Sequence, residues 1–316
     1  MIKKLLIGSR ESRLAVLQTE IIIEALKKEL PDYTIEHKTF KTTGDKLLNQ
    51  PLSKIGGKGL FVKELDRALL EGNIDIAVHS LKDLPRETAQ GTKLAAFYKR
   101  GNPFDRLVIN PDKYPSLSKD LFAFFEDHKS LTIGTSSGRR ALQLKVLKKD
   151  IRFENIRGNI HTRLQKMKDL DYDGIVLASA GMIRAGITDY PYYDFTEDWM
   201  VPAAGQGTLV LQCRNDFPEK LLSPLNDPHT AIESLAERKF IQEMDADCTS
   251  PIGAYAKIRD GEIELRVFKG EDSWEELLLY EDIPPQGFWK RTAPLEEKEK
   301  ISIDLAKEIK EREHHE

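Results

Sequence analysis

KIGGKGLFVKELDRALLEGNIDIAVHSLKDLP, residues 54–85, is the stretch on which the fold turns. Its glycine-rich opening, 54–61, leads into a run whose apolar spacing predicts a helix over 62–72. Gly72 stands where a helix ends in a left-handed residue. IDIAVHS (74–80) then reads as a buried strand, stopped by Leu84-Pro85. The same alternation precedes it. KLLIG (4–8) is a short apolar strand, and Ser12 is placed to cap a helix with Leu14, Leu17, Ile21 and Ala25 on one face. YTIEHKTF (33–40) alternates as a strand. Strands alternating with helices predict an α/β fold with a parallel sheet.

Downstream, RGNPFD (100–105) marks a crossing between domains, and a second alternating run follows. LTIGTSS (131–137) is a strand and a helix start, IRFENIRG (151–158) a strand and turn, NIHTRLQKMKDL (159–170) a helix and DGIVLASAG (173–181) a strand. TLVLQC (208–213) is a further strand, positioned to return to the first sheet. The last third changes character. Asp227-Pro228 starts a helix running to about Asp245. Residues 254–270 form a hairpin turning at Asp260-Gly261. EELLLYEDI (275–283) offers a third strand, and a closing helix carries Ile301, Leu305 and Ile309. The expected layout is a first lobe of residues 1–101 with 201–219, a second of 102–200, and a small α+β domain of 220–316.

A length of 316 residues allows two or three domains, and 40% hydrophobic residues supply real cores. The net charge of −4 argues against a general nucleic-acid binder, so any anion site must come from local clustering. No run approaches a membrane span, and the first residues lack a signal peptide's long apolar core. Cys213 and Cys248, the only cysteines, have neither zinc-ligand spacing nor the number for a disulfide framework. No metal is expected. A reducing, cytoplasmic setting and a monomer are expected.

Basic residues recur where strands give way to helices: Arg10, Arg139, Arg140, Arg157, Arg163 and Arg184. Ligands of open α/β sheets bind beyond the carboxyl ends of the strands, where helix N-termini add partial positive charge. Guanidiniums there can hold carboxylates or phosphates in bidentate fashion, although any one arginine taken alone is more often simply a solvated surface residue. Asp83, at the end of a strand, can stabilise a cation or cap the turn before Pro85. His79 reads as a structural histidine. The 54–61 loop, with Lys54 and Lys58, lacks phosphate-loop spacing and reads as a lid. Cys248, in the loop DADCTSPIGAYA (245–256), leaves packing, redox, metal binding and attachment open.

Taken together, GSRESRLA (8–15), TTGD (42–45), the 54–85 stretch, RGNPFDRLV (100–108), IGTSSGRR (133–140), IRGNIHTRL (156–164), LASAGMIRAG (177–186), VPAAGQGTLVLQCR (201–214) and DCTSPIGAYA (247–256) resemble the porphobilinogen deaminase (hydroxymethylbilane synthase) family in order and spacing. The resemblance covers most of residues 5–260. It implies two periplasmic-binding-protein-like lobes with a cleft between them and a small third domain. It implies condensation of four porphobilinogen molecules with loss of ammonia, primed on a covalent dipyrromethane cofactor, then hydrolytic release of 1-hydroxymethylbilane. By resemblance Cys248 carries that cofactor through a thioether, and Asp83 is catalytic, stabilising positive charge on a pyrrole. The six arginines, with Ser12, Ser80, Lys82 and Ser137, match the residues that bind the acetate and propionate groups of cofactor and substrate. Lys54, Lys58 and Phe61 match the loop over the cleft, and Gln206 the hinge. Arg13, Gly138, Asp247 and Ser250 depart from the family's usual residues. Gly138 is expected to loosen a helix start, and Asp247 to disfavour a Cys248 thiolate.

Two other classes share such lobes: a non-enzymatic solute-binding protein and a ligand-sensing regulator. Asp83 together with Cys248 favours the enzyme, and the hairpin-rich last third offers no helix-turn-helix for a regulator.

Overall fold

In the computed structural model, β1 (Lys3–Arg10) runs parallel to β2 (Tyr33–Phe40) on one side and β3 (Ile76–Ser80) on the other. The structure describes residues 3–42, 62–247, 250–271 and 287–313. Two helices connect these strands, α1 (Arg13–Glu29) and α2 (Lys63–Leu70). Ser12 caps α1, accepting from the Ala15 amide, and Gly72 closes the end of α2 at φ 73°. The sheet is not wholly parallel. Its order is β2-β1-β3-β10-β4, and β10 (Leu209–Arg214) lies antiparallel to both β3 and β4 (Thr92–Tyr98). The chain leaves the sheet after β4 and re-enters from the hinge, so its returning strand points the other way.

The second sheet repeats this plan. Its order is β7-β6-β8-β5-β9, with β7 (Ile151–Glu154), β6 (Leu131–Gly134) and β8 (Gly174–Ala178) parallel. β5 (Asp105–Ile109) is antiparallel to β8, and β9 (Tyr192–Asp194) pairs with β5 at the edge. The helices are α3 (Leu121–Asp127), α4 (Gly138–Leu147), α5 (Ile160–Asp169) and α6 (Ser179–Arg184). The strand expected over 173–181 therefore stops at Ala178, and Ser179 to Gly181 already belong to α6.

The expected inner face of α1 is also corrected. Gln18, Thr19, Ile22, Ile23 and Leu26 are buried, whereas Leu14, Leu17, Ile21 and Ala25 are half-buried. Leu17, Ile21 and Ala25 instead line an open groove with Pro224 and Leu225. The helix meets the sheet on one side and the 223–225 turn on the other, so both of its stripes are apolar.

The third unit packs α7 (Pro228–Glu243) and α8 (Lys300–Glu313) on an antiparallel sheet of β11 (Ile252–Arg259), β12 (Glu262–Lys269) and β13 (Gly287–Pro294). Asp260 and Gly261 both take positive φ, as a two-residue hairpin turn requires. The third strand is 287–294, and the 275–283 expectation lies outside the described residues. Ile301, Leu305 and Ile309 are buried against Phe240, Ala254 and Leu265, each contributing about 1.5–3 kcal/mol of apolar burial.

Two crossing segments, 99–104 and 201–208, join the lobes and touch. The Gly101 amide donates to the Gly207 carbonyl at 3.1 Å, and Arg100 Nε to the Gln206 carbonyl at 2.9 Å. Gly207 has φ 90°, and a Cβ there would lie 2.7 Å from the Gly101 carbonyl oxygen, so the crossing admits only glycine without strain. The third unit grips this hinge. Glu237, fully buried on α7, takes both ends of the Arg100 guanidinium at 2.6 and 3.1 Å, and also accepts from the Gly205 and Ala256 amides.

Candidate active site

The carboxyl ends of the parallel strands carry most of the expected residues. Arg10 is the last residue of β1, and Ser80 the last of β3. Lys82 and Asp83 follow in the single 3-10 turn Leu81–Asp83, with Asp83 exposed and Lys82 half-buried. From the second lobe, Ser137 precedes α4, Arg139 and Arg140 lie in its first turn, Arg157 follows β7 and Arg163 sits on α5. Ser137 makes no side-chain cap bond, and Gly138 is the first helical residue. That helix start is held instead by the two arginines.

Both arginines converge on Asp105, the fully buried first residue of β5. Arg139 Nη2 donates to Asp105 Oδ2 at 2.8 Å, and Arg139 Nη1 to the Val201 carbonyl at 2.7 Å. Arg140 donates to Asp105 Oδ1 from Nη2 at 2.7 Å and Nε at 3.2 Å, and from Nη1 to the Val176 carbonyl. Gln206 Nε2 donates to the same Oδ1 at 3.0 Å and to the Pro103 carbonyl at 2.7 Å. Its Oε1 accepts from Lys82 Nζ at 3.1 Å. The hinge amide thus connects a cation of the first lobe to a carboxylate of the second.

Charge explains the proton affinities. Burial alone would raise the Asp105 carboxyl, but Arg139 and Arg140 overcome it and hold the group well below the carboxylate range. Burial pushes Lys82 down to about 8; Asp83 and Asp105 resist this, while Arg140 and Arg139 add to it. Arg163 falls to about 10 through burial, then through Arg140 and Arg157, against the pull of Asp83. The catalytic candidate on the first lobe therefore lies within electrostatic reach of an arginine on the second.

Not every expected residue joins this cluster. Arg184 sits at the end of α6, donates to the Gly207 carbonyl at 2.6 Å and lines the groove along α1. Burial lowers it to about 10. His79 is buried on β3, and burial drives it down to about 4, so it stays neutral near pH 7, as befits a structural histidine. Lys54, Lys58, Phe61 and Cys248 lie outside the described residues. The neighbours of Cys248 are tied together: the Asp247 amide donates to Ser250 Oγ, and the Ser250 amide to Asp247 Oδ1, each at 3.2 Å. Cys213 is buried in β10 as a small apolar residue.

Sequence reasoning passed over Asp105. Its signal was present: a carboxylate opening the strand DRLVI, buried throughout, demands a cation. Among the described residues no cluster of His, Cys, Asp or Glu could hold a metal ion, and no helix is long and apolar enough to cross a membrane.

Among the described residues, Lys82, Arg139, Arg140 and Arg163 act on Asp83 and Asp105 in this cluster, so the cations outnumber the carboxylates when Lys82 is protonated. Such a donor set fits a ligand with several carboxylates. Fold and site together define a two-lobed α/β protein with a cationic cluster at its strand ends. The chain belongs to the porphobilinogen deaminase family. Residues 5–221 match the family model described as porphobilinogen deaminase, dipyromethane cofactor binding domain, and residues 231–311 match that of the porphobilinogen deaminase C-terminal domain. The chain is 44% identical over 266 residues to the porphobilinogen deaminase of Natranaerobius thermophilus, covering 83% of this chain and 82% of that protein. With that of Carboxydothermus hydrogenoformans it shares 38% over 321 residues, covering 98% and 94%. Among solved structures, the periplasmic aliphatic sulphonate binding protein SsuA of Escherichia coli aligns at TM-score 0.40 and 14% identity, over 77% of this chain and 70% of that one. A likeness at that level carries no argument.

Proposed function

We propose that the strand-end cluster is the place where this chain joins four porphobilinogen molecules, with release of ammonia, into 1-hydroxymethylbilane. The observation that carries the reading is the surplus of cations around one exposed carboxylate, Asp83, at the end of β3. Each pyrrole brings an acetate and a propionate, and the cluster supplies the opposite charge. Lys82 and Arg163 bind these groups, with Arg10, Ser12, Ser80, Ser137 and Arg157 around them. Arg139 and Arg140 add charge from behind. Arg184 binds from the hinge side, and Lys54, Lys58 and Phe61 take part through their match to the family's loop.

Asp83 accepts pyrrole N–H groups and stabilises the positive charge that develops on the ring as ammonia leaves. Its exposed carboxylate acts electrostatically on Lys82 and Arg163, and among the described residues it forms no direct ion pair with either. When bound, dipyrromethane supplies the free pyrrole α-carbon at which chain growth begins. Cys248 would hold it, through a thioether. The surplus cations are the residues suited to hold its carboxylates.

We assign residues 1–101 with 201–219, 102–200, and 220–316 to the three domains. A chain that needs Cys248 as a free thiol and keeps Cys213 buried suits the reducing cytoplasm. A monomer accords with one complete cluster per chain. The test is intact mass and peptide mapping of the purified protein. An added mass of two deaminated porphobilinogen units on the Cys248 peptide is expected. Cys248→Ser abolishes the addition, whereas Asp83→Asn keeps it and loses at least about 100-fold in turnover. Full activity in either variant removes that residue from its role.

A further inference from the structure

Asp105 is fully buried, yet it gathers three side chains of the cluster. Four donors reach it: Nη2 of Arg139, Nη2 and Nε of Arg140, and Nε2 of Gln206. Three fall on Oδ1, so the carboxylate is saturated on the side that faces the hinge. Because Gln206 Nε2 also donates to the Pro103 carbonyl, the amide can present only its oxygen to Lys82. Among the described residues, Lys82 spends one of its three N–H groups on Gln206, which leaves the others to a ligand. The two arginines are nearly buried, at 4% and 8% exposure, with terminal nitrogens tied to main-chain carbonyls. They bring charge to the cleft wall more than free hydrogen-bonding ends.

We propose that Asp105 is a positioning residue for the condensation: a single buried carboxylate that fixes the Arg139 and Arg140 guanidiniums directly, and the Lys82 ammonium through Gln206. This rests on the reading of the cluster given above. The physical reason is repulsion. Arg139, Arg140 and Lys82 would otherwise stand together in a desolvated place with only Asp83 opposing them. Facing the Lys82 ammonium are Asp83 from its own turn, Arg139 and Arg140 from α4, and Asp105 from β5. Of these, Asp105 is the one carboxylate contributed by the second lobe. Removing its charge leaves two arginines acting on Lys82 against Asp83 alone. Lys82 then gives up its proton more readily and binds carboxylates less well.

The test compares wild type with Asp105→Asn. Acetic anhydride labels lysines only when they are neutral, and peptide mass reports Lys82 separately, with neither cofactor nor substrate needed. The midpoint of Lys82 labelling should fall by about one pH unit in the variant. In the cofactor-loaded enzyme, KM for porphobilinogen should rise about tenfold with a smaller change in kcat, and the alkaline limb of kcat/KM should move down by the same pH interval. A lowered melting temperature with an unmoved labelling midpoint and alkaline limb would mean that Asp105 only supports the fold, and overturns the proposal. Should Asp105→Asn not fold, Gln206→Leu carries the test. It leaves the arginine pairs intact and breaks the link to Lys82, so the Lys82 midpoint and KM must both move; if neither does, the proposal fails. A moved midpoint in a protein that takes up no cofactor on Cys248 even after porphobilinogen is added would sustain the positioning role while refuting the attachment site.

Discussion

His79 shows how one buried side chain sets a pH limit. Its imidazole sits inside β3, and burial lowers it to about 4 from an unfolded value near 6.5. Below pH 6.5 the unfolded chain binds a proton that the folded chain refuses, so stability falls as pH drops from 6.5 towards 4. Over that interval the loss approaches about 3 kcal/mol. We expect His79→Leu to flatten this limb in urea unfolding measured across pH; an unchanged slope would assign the acid sensitivity to other groups. Lys82 works in the other direction for ligands. In the role proposed for it, its ammonium must stay charged to bind carboxylates, so affinity should fall as pH rises through about 8. Asp105 differs from both in legibility. Arg139 and Arg140 announced themselves in the sequence by position, but their partner lay 34 residues away from Arg139 in a different element. Pairing of that range is set by tertiary contact and leaves no local pattern.

Helix α7 illustrates what is readable at the level of an element. Asp227-Pro228 predicts its start, and Asp227 Oδ1 does accept from the Thr230 amide at 2.7 Å. Asp227→Ala should cost about 1 kcal/mol in denaturant unfolding, and no measurable loss would show the cap to be redundant. Strand β10 marks the limit of such reading. Its apolar run predicts a strand, but its direction depends on the path of the chain through the second lobe. Helix α1 marks another. Both of its stripes are apolar, and only packing chose the one containing Ile22 and Leu26 for the core.

Across the whole molecule, the third unit is held to the two lobes by contacts of different kinds. Towards the first lobe and hinge, the Arg100–Glu237 pair is buried, with side chains 8% and 0% exposed, and Arg238 donates to the carbonyls of Pro85 and Arg86. Towards the second lobe, Arg259 and Arg266 meet Glu197, and Arg266 also meets Asp198, in more open ion pairs. Glu237→Gln should therefore destabilise by about 3–5 kcal/mol, because a buried guanidinium loses its counter-charge. Glu197→Gln should cost no more than about 1 kcal/mol, shrinking further at high salt. Calorimetry of both variants at two salt concentrations checks the contrast, and equal losses would refute it.

By itself the sequence determined the alternation of strands and helices, the hairpin at Asp260-Gly261, the capped starts of α1 and α7, and the set of basic residues at strand ends. These follow from short-range rules of side-chain spacing, capping and turn geometry. Only the tertiary structure decided the mixed direction of the sheets, the buried face of α1, the glycine crossing at Gly207 and the gathering of Arg139, Arg140 and Lys82 around Asp105 and Gln206. Those depend on which distant segments exclude water from one another. A charge buried by such packing finds its partner in space, wherever the chain happens to supply one.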